Sequence, residues 1–543
     1  MSDTHSDPTS RRRVLAGIGG AAIGLGGGTT QADAAPRAQG TAGEPSHLAA
    51  ERVKRRNRRR RIIYNNDGGD VGAPGAATPE AFLAKRLRPI LGTQVDTIFY
   101  CTGATTMFSH LAQVGETYGE FCRDGTEGAP YRDNIRALRT AGHDVLRLVT
   151  AFAHGHGLEV FFTHRINDIH DTFLDWELSR WKREHPEYLM GTRESAARAA
   201  DGNSPRYWWS ALDFERPEVL DYLCRIQEDV CARYDVDGVE IDYWRSPMFV
   251  RPNLDFQPAT PSQIEILTRF QRRLRDISVR AGTRRGRPIL MATRVPVTPA
   301  QCRHIGIDLP RWIAEGLTDL VTAGGGYVPF TEPLDEIISL AHRHGLPVYP
   351  TISASGMRGP ENRYASLEAW RGAASNMWRA GADGILAFNL FPSGPEPRFQ
   401  EIGSPETLAG RDKLFVIDPR RVLEGDLVQG AVQEQVLPLP VPANGAATTR
   451  LPLGDDLPAA ARSGKLHSAP LRVQLNRPAA VHDLEVRLNG AWLAPVERDP
   501  DTGRLTFTPG GTLYRAGPND LTFRLHGAEP VQVVAVEVPV RYS

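Results

Sequence analysis

Between Arg61 and Gly410, short apolar runs alternate with amphipathic stretches eight times over. The runs are Ile62-Ile63-Tyr64, Val95 to Tyr100, Leu158 to Thr163 and Gly238 to Asp242, then four more starting near Pro288, Asp319, Pro347 and Asp383. The stretches between them carry helical spacing, as in Ile264, Leu267, Phe270, Leu274 and Ile277. Strands that alternate with helices pair in parallel, and eight of them predict a closed (β/α)8 barrel. An open doubly wound sheet fits less well. Its first strand should run into a glycine-rich phosphate loop, whereas Asn65-Asn66-Asp67-Gly68-Gly69-Asp70 is acidic and would repel a pyrophosphate.

After residue 410 the helical period disappears. Leu471 to Leu475, Leu484 to Leu488, Leu505 to Phe507, Leu521 to Leu525 and Val531 to Val540 alternate at period two, and Asn489-Gly490 is a hairpin turn signal. A smaller all-β sandwich domain is expected over 411–543, opening near the proline-rich stretch Leu437 to Pro442.

The N-terminus reads as a targeting segment. Arg11-Arg12-Arg13 precedes a weakly apolar, glycine-rich run and then Ala32-Asp33-Ala34, so residues 1–34 are expected to be a twin-arginine signal peptide and the protein to be exported to the periplasm or beyond. The run is too short and too rich in glycine for a stable membrane anchor. The second basic run, Arg52 to Arg61, is expected to be a solvated linker over 35–60. With 64 Lys plus Arg against 64 Asp plus Glu, the chain has no overall basic field, and nucleic acid is not an expected partner. The five cysteines, Cys101, Cys122, Cys224, Cys231 and Cys302, have neither disulfide nor metal spacing and are expected in the core. No cofactor motif is present.

In a (β/α)8 barrel the working residues stand at the carboxyl ends of the strands. Strand four is the most informative. Gly238, Glu240 and Asp242 alternate with Val239 and Ile241, so the two carboxylates share a face with Cα atoms about 6.6 Å apart. Like charges at that spacing push one pKa up, giving a proton donor beside an ionised partner. Asp242 and Glu240 are therefore candidate catalytic residues, together with Asp168 beyond strand three. Arg165, Asn167 and His170 surround Asp168 in sequence and are candidates for binding substrate. Asp67, Arg294 and Asn389 at other strand ends join them. Trp244 and Trp209 do so as aromatic faces on which a sugar ring can stack, two of five tryptophans gathered between Trp176 and Trp244. His164, Asp168 and His170 form an alternative cluster that would make the chain a metal-dependent hydrolase.

Three segments together resemble a known family: Phe162-Thr163-His164-Arg165-Ile166-Asn167-Asp168-Ile169-His170-Asp171, His185-Pro186-Glu187-Tyr188, and Tyr234-Asp235-Val236-Asp237-Gly238-Val239-Glu240-Ile241-Asp242. They look like the exported glycoside-hydrolase-like barrels of environmental bacteria, the glycosyl-hydrolase-10-like group. The resemblance implies hydrolysis of glycosidic bonds in an oligo- or polysaccharide by a carboxylate pair at the barrel mouth. A barrel that has lost its chemistry and only binds glycan is the alternative. The similar strand of chitinases ends Asp-Gly-x-Asp-x-Asp-x-Glu. Here Glu240 takes the middle aspartate's place and Trp244 stands where the catalytic glutamate would be.

Overall fold

The structure is a computed structural model that describes residues 43–198, 205–325, 330–355, 364–417 and 436–543. The expected leader lies outside the described residues, as do Gly326 and Tyr327 beyond strand six. Eight parallel strands close a barrel: β1 (Ile62–Asn66), β2 (Val95–Cys101), β3 (Glu159–Arg165), β4 (Gly238–Asp242), β5 (Leu290–Val295), β6 (Leu320–Ala323), β7 (Val348–Ser353) and β8 (Ile385–Phe388). Each pairs with its neighbours in chain order, and β1 pairs with both β2 and β8 to complete the ring. The strands are buried on both faces, which is why they read as unbroken apolar runs. Helix starts follow local capping. Thr260 and Gln263 form a reciprocal capping box at Pro261–Arg285, and Gly286 closes that helix in a left-handed conformation at φ 70°. The helix buries Ile264, Leu267, Phe270, Leu274 and Ile277, the expected stripe.

One face of each strand fills the barrel. Ile63, Phe99, Phe161, Leu290, Ala292, Leu320, Tyr349 and Leu386 form a separate interior cluster. Gly238 pairs with Phe161 in register, and a β-carbon there would stand 2.2 Å from the Phe161 ring. Glycine is what lets that ring cross the interior. Gly238→Ala is expected to destabilise the protein by about 1–3 kcal/mol, the usual penalty of overpacking, seen as a lower urea midpoint. Since Gly238 faces inward, so do Glu240 and Asp242, as the alternation requires.

The floor of the barrel differs from expectation. The basic run is no solvated linker. Ser46–Arg56 is a helix whose Leu48 and Arg52 are buried one turn apart. Arg52 donates to the Ile289 carbonyl at 2.7 Å and to Asp319 at 3.0 Å, and Arg275 reaches the same carboxylate at 2.6 Å. Burial works against ionising Asp319, but Arg275 and Arg52 outweigh it and hold its pKa far below the usual range. Arg60, fully buried, spans Glu159 with bonds of 2.7 and 3.1 Å and donates to the carbonyls of Arg55, Arg56 and Arg58. These arginines neutralise carboxylates at the amino ends of the strands.

The C-terminal part forms two antiparallel sheets, one of seven strands and one of four, over a single apolar core. Asn489 and Gly490 both have positive φ, 49° and 98°, the primed turn that their sequence signals. Lys413 lies between the two halves of the chain, its ammonium 2.8 Å from Asp455, which also accepts from Tyr542 and Ser375. All five cysteines are buried free thiols.

Candidate functional site

At the carboxyl end of the barrel, the turns after β1, β2 and β3 enclose a cavity of about 170 Å³ lined by Asp67, Tyr118, Tyr131, Arg165, Asp168, His170 and Glu177, among others. β1 runs into Asp67 and then into Gly68 at φ 79°, where a β-carbon would collide with the Cys101 carbonyl. The turn fixes Asp67, whose Oδ1 accepts from the Gly69 amide at 2.9 Å and from Arg86 at 2.6 Å. Burial opposes its ionisation, but Arg86 and Arg165 prevail and keep it charged.

β3 delivers the remaining polar groups. Thr105 Oγ1 accepts the Asp168 amide at 2.6 Å and donates to the Arg165 carbonyl, so the turn is pinned from the β2 side. Asp168 Oδ1 bonds His170 Nδ1 at 2.5 Å and the His170 amide at 2.9 Å, while Oδ2 faces Arg165 at 3.4 Å. Burial alone would raise this carboxyl, but His170, Arg165 and Arg245 hold it well below the carboxylate range. Asp168 in turn raises His170. Arg245 Nη2 meets His170 Nε2 at 2.8 Å and completes the relay. Asn167 is a staple rather than a lining group: its side chain bridges the Leu212 amide at 2.7 Å and the Met248 carbonyl at 2.5 Å.

Glu177 is the group that sequence reasoning missed. It is buried beside Asp168, accepts from the Tyr118 hydroxyl at 2.6 Å, and lines the same cavity. Burial first, and then the charge on Asp168, push it up to about 7. Its neighbour Trp176 packs edge-on against Tyr118 and lies beside Tyr131, which gives this wall its shape. The tryptophan in front of it was the only signal in the sequence.

The strand-four pair sits deeper and does not line this cavity. Glu240 accepts from Thr163 at 2.8 Å and Thr322 at 3.3 Å. Burial and then Asp242 push its pKa up, as their spacing predicts. Asp242 is fully committed. Oδ2 takes Arg294 at 2.9 Å, and Oδ1 takes the amides of Trp244 at 3.0 Å and Arg245 at 2.9 Å. Arg294 lies 3.9 Å over the Phe388 ring across the barrel. Asp242 therefore anchors the turn that presents Arg245 to His170.

Three candidates stand apart. Trp209 is buried in the core under Arg193, whose guanidinium lies 4.7 Å from the ring. Trp244 is half-buried against the same core. Asn389 follows β8 in a left-handed conformation at φ 52° and does not line the cavity. The metal cluster is not assembled. His164 is on the outer face of β3, with Nε2 on the Thr105 carbonyl at 2.8 Å and Nδ1 on Gln227 at 2.7 Å. Burial lowers it to about 4, so it is neutral and both of its nitrogens are occupied. Lys182 is buried against Asp171 at 2.6 Å and the Ser210 carbonyl at 3.0 Å, within the long segment between β3 and β4.

Residues 130–251 match the family model described as Glycosyl hydrolase-like 10, which spans β3, β4 and the polar turn between them. No curated protein matches the chain. Among solved structures, the glycoside hydrolase domain of PgaB (BpsB) from Bordetella bronchiseptica is 12% identical, covering 65% of this chain and 97% of that one at a TM-score of 0.38. Alpha-L-fucosidase isoenzyme 2 from Paenibacillus thiaminolyticus is 13% identical, covering 65% of this chain and 49% of that one at 0.37. The alpha-amylase of Geobacillus thermoleovorans is 12% identical, covering 85% and 98% at 0.36.

Proposed function

We propose that this chain hydrolyses glycosidic bonds, with Glu177 and Asp168 as its working carboxylates. One observation carries the reading: a single cavity at the carboxyl end of the barrel is lined by one carboxyl held ionised and another pushed up to about 7. Two carboxyls with opposed protonation are what glycoside hydrolysis requires. Glu177 donates its proton to the departing glycosidic oxygen. Asp168, ionised, stabilises the positive charge that develops on the sugar ring and serves as nucleophile or base. Arg165, His170 and Asp67 hold sugar hydroxyls, and Tyr118 and Tyr131 offer aromatic faces. Glu240 and Asp242 act from beneath, Asp242 by fixing Arg294 and the turn of Arg245. The match to the glycosyl hydrolase-like family over 130–251 supports the reaction class, and the arginine-led N-terminus supports work outside the cytoplasm.

The test is a panel of oligo- and polysaccharides, with released sugars read by mass spectrometry, for the parent and the Asp168→Asn, Glu177→Gln double variant. The parent is expected to release product from at least one glycan and the double variant from none. Equal turnover by both, or binding without product by the parent, would overturn the proposal.

A further inference from the structure

The four-stranded sheet of the C-terminal half runs in the order Ala446–Leu453, Gly517–Leu525, Leu484–Leu488, Ala491–Leu493. Alternation sends Leu484, Val486, Leu488, Leu521, Phe523 and Leu525 into the core and leaves the other face to solvent. On that outer face the registers place Thr448 beside Thr522, Thr522 beside Arg487, and Arg487 beside Trp492. The four side chains thus form one straight row across the sheet, about 14 Å long at the usual strand spacing.

Trp492 ends this row and is 45% exposed, the only tryptophan after residue 410. Two guanidinium groups flank its ring, Arg524 at 5.0 Å and Arg487 at 5.7 Å. The acids on the same face are already engaged, Glu485 with His526 at 3.0 Å and Asp520 with Arg450 and Arg515 at 3.6 Å each. Among the described residues, neither Arg487 nor Arg524 has a carboxylate partner. Arg487 holds its Nε on the Gly490 carbonyl, and its two terminal nitrogens have no hydrogen-bond partner among the described residues. Two positive charges without a carboxylate partner thus stand around an exposed ring, and with two hydroxyl-bearing residues in line they make a binding surface that the proposed catalysis does not use.

We infer that this face binds an acidic polysaccharide, one bearing uronate carboxylates. The apolar C–H face of a pyranose stacks on the indole, and an adjacent carboxylate meets an arginine fork, the geometry arginine holds best. The row of hydroxyls extends the contact along the glycan chain. Single-stranded nucleic acid also stacks on aromatic rings beside arginine. Yet among the described residues Arg450 and Arg515 are engaged by Asp520, which breaks the run of positive charge that a phosphate backbone would follow, and the whole chain carries as many acids as bases.

Affinity electrophoresis of the full chain through gels containing polygalacturonate, alginate or uncharged hydroxyethylcellulose tests this. Retardation is expected in the two acidic gels and not in the neutral one, and it should weaken with added salt. Trp492→Ala should weaken binding about tenfold, ~1.4 kcal/mol, while Trp492→Phe retains most of it. The Arg487→Gln, Arg524→Gln double variant should weaken it and flatten the salt dependence. Val496→Ser, exposed on the other sheet, should change nothing. Parent-like binding by Trp492→Ala, equal loss in Val496→Ser, or equal competition by single-stranded DNA would each overturn the inference. The readout is retention rather than turnover, so it stands or falls apart from the barrel chemistry.

Discussion

Glu177→Gln is expected to lower kcat on a cleavable glycan by about 10²–10⁴-fold, the usual contribution of a positioned proton donor, with KM nearly unchanged. The pH profile identifies the cause. Glu177 works protonated, and burial beside Asp168 pushes it up to about 7. Activity of the parent therefore falls as pH rises through about 7, and the variant lacks that limb. Removing the Tyr118 hydroxyl takes away a hydrogen bond that favours the ionised form, so Tyr118→Phe moves the limb to higher pH. An aryl glycoside whose leaving group needs no protonation should narrow the deficit of Glu177→Gln, which a merely misfolded site would not do. If the alkaline limb persists in the variant, Glu177 is not the donor.

At the opposite end of the barrel, Glu159→Leu should lower the unfolding free energy by about 3–5 kcal/mol, read from urea denaturation, because it strands a buried charge. Arg60 is fully enclosed and its Nε and Nη2 end on this carboxylate, which also accepts from Thr97 at 3.0 Å, while Nη1 reaches only the Tyr349 hydroxyl at 3.4 Å on the barrel side. Adding Arg60→Met removes the stranded charge and should recover part of the loss. Recovery stays partial because Arg60 also satisfies carbonyls of the incoming chain. An unchanged midpoint in Glu159→Leu would mean that the floor does not hold the barrel closed.

The barrel was legible because its strands are buried on both faces and its helices on one, so apolar spacing alone separates them. β4 coincides with its predicted span, while β3 extends two residues further through His164 and Arg165, where polar side chains masked the strand. The turn holding Arg165, Asp168 and His170 was legible from polar density after an apolar run. The strand-four pair was legible as a pair but not in depth: the sequence gives the shared face of Glu240 and Asp242, whereas only the structure gives the Arg294 clamp that occupies Asp242. Glu177 stayed hidden because it comes from an insertion that folds back over the mouth, and no period or motif encodes such a return. The floor was misread because charge density argued for solvent, while burial there is decided by carboxylates 99 and 267 residues along the chain, Glu159 for Arg60 and Asp319 for Arg52.

The sheet at the C-terminal end carries a further consequence for synthesis. Val531–Tyr542 lies inside the seven-stranded sheet, pairing with Lys413–Ile417 on one side and Leu471–Leu475 on the other, and two shorter strands also join it. Every strand that depends on it leaves the ribosome earlier. Until residue 542 has emerged, those strands keep bare edges open to the wrong neighbour, whereas the barrel can already have closed with β8. The two halves therefore mature on different clocks, and the later half is the one exposed to aggregation during translation.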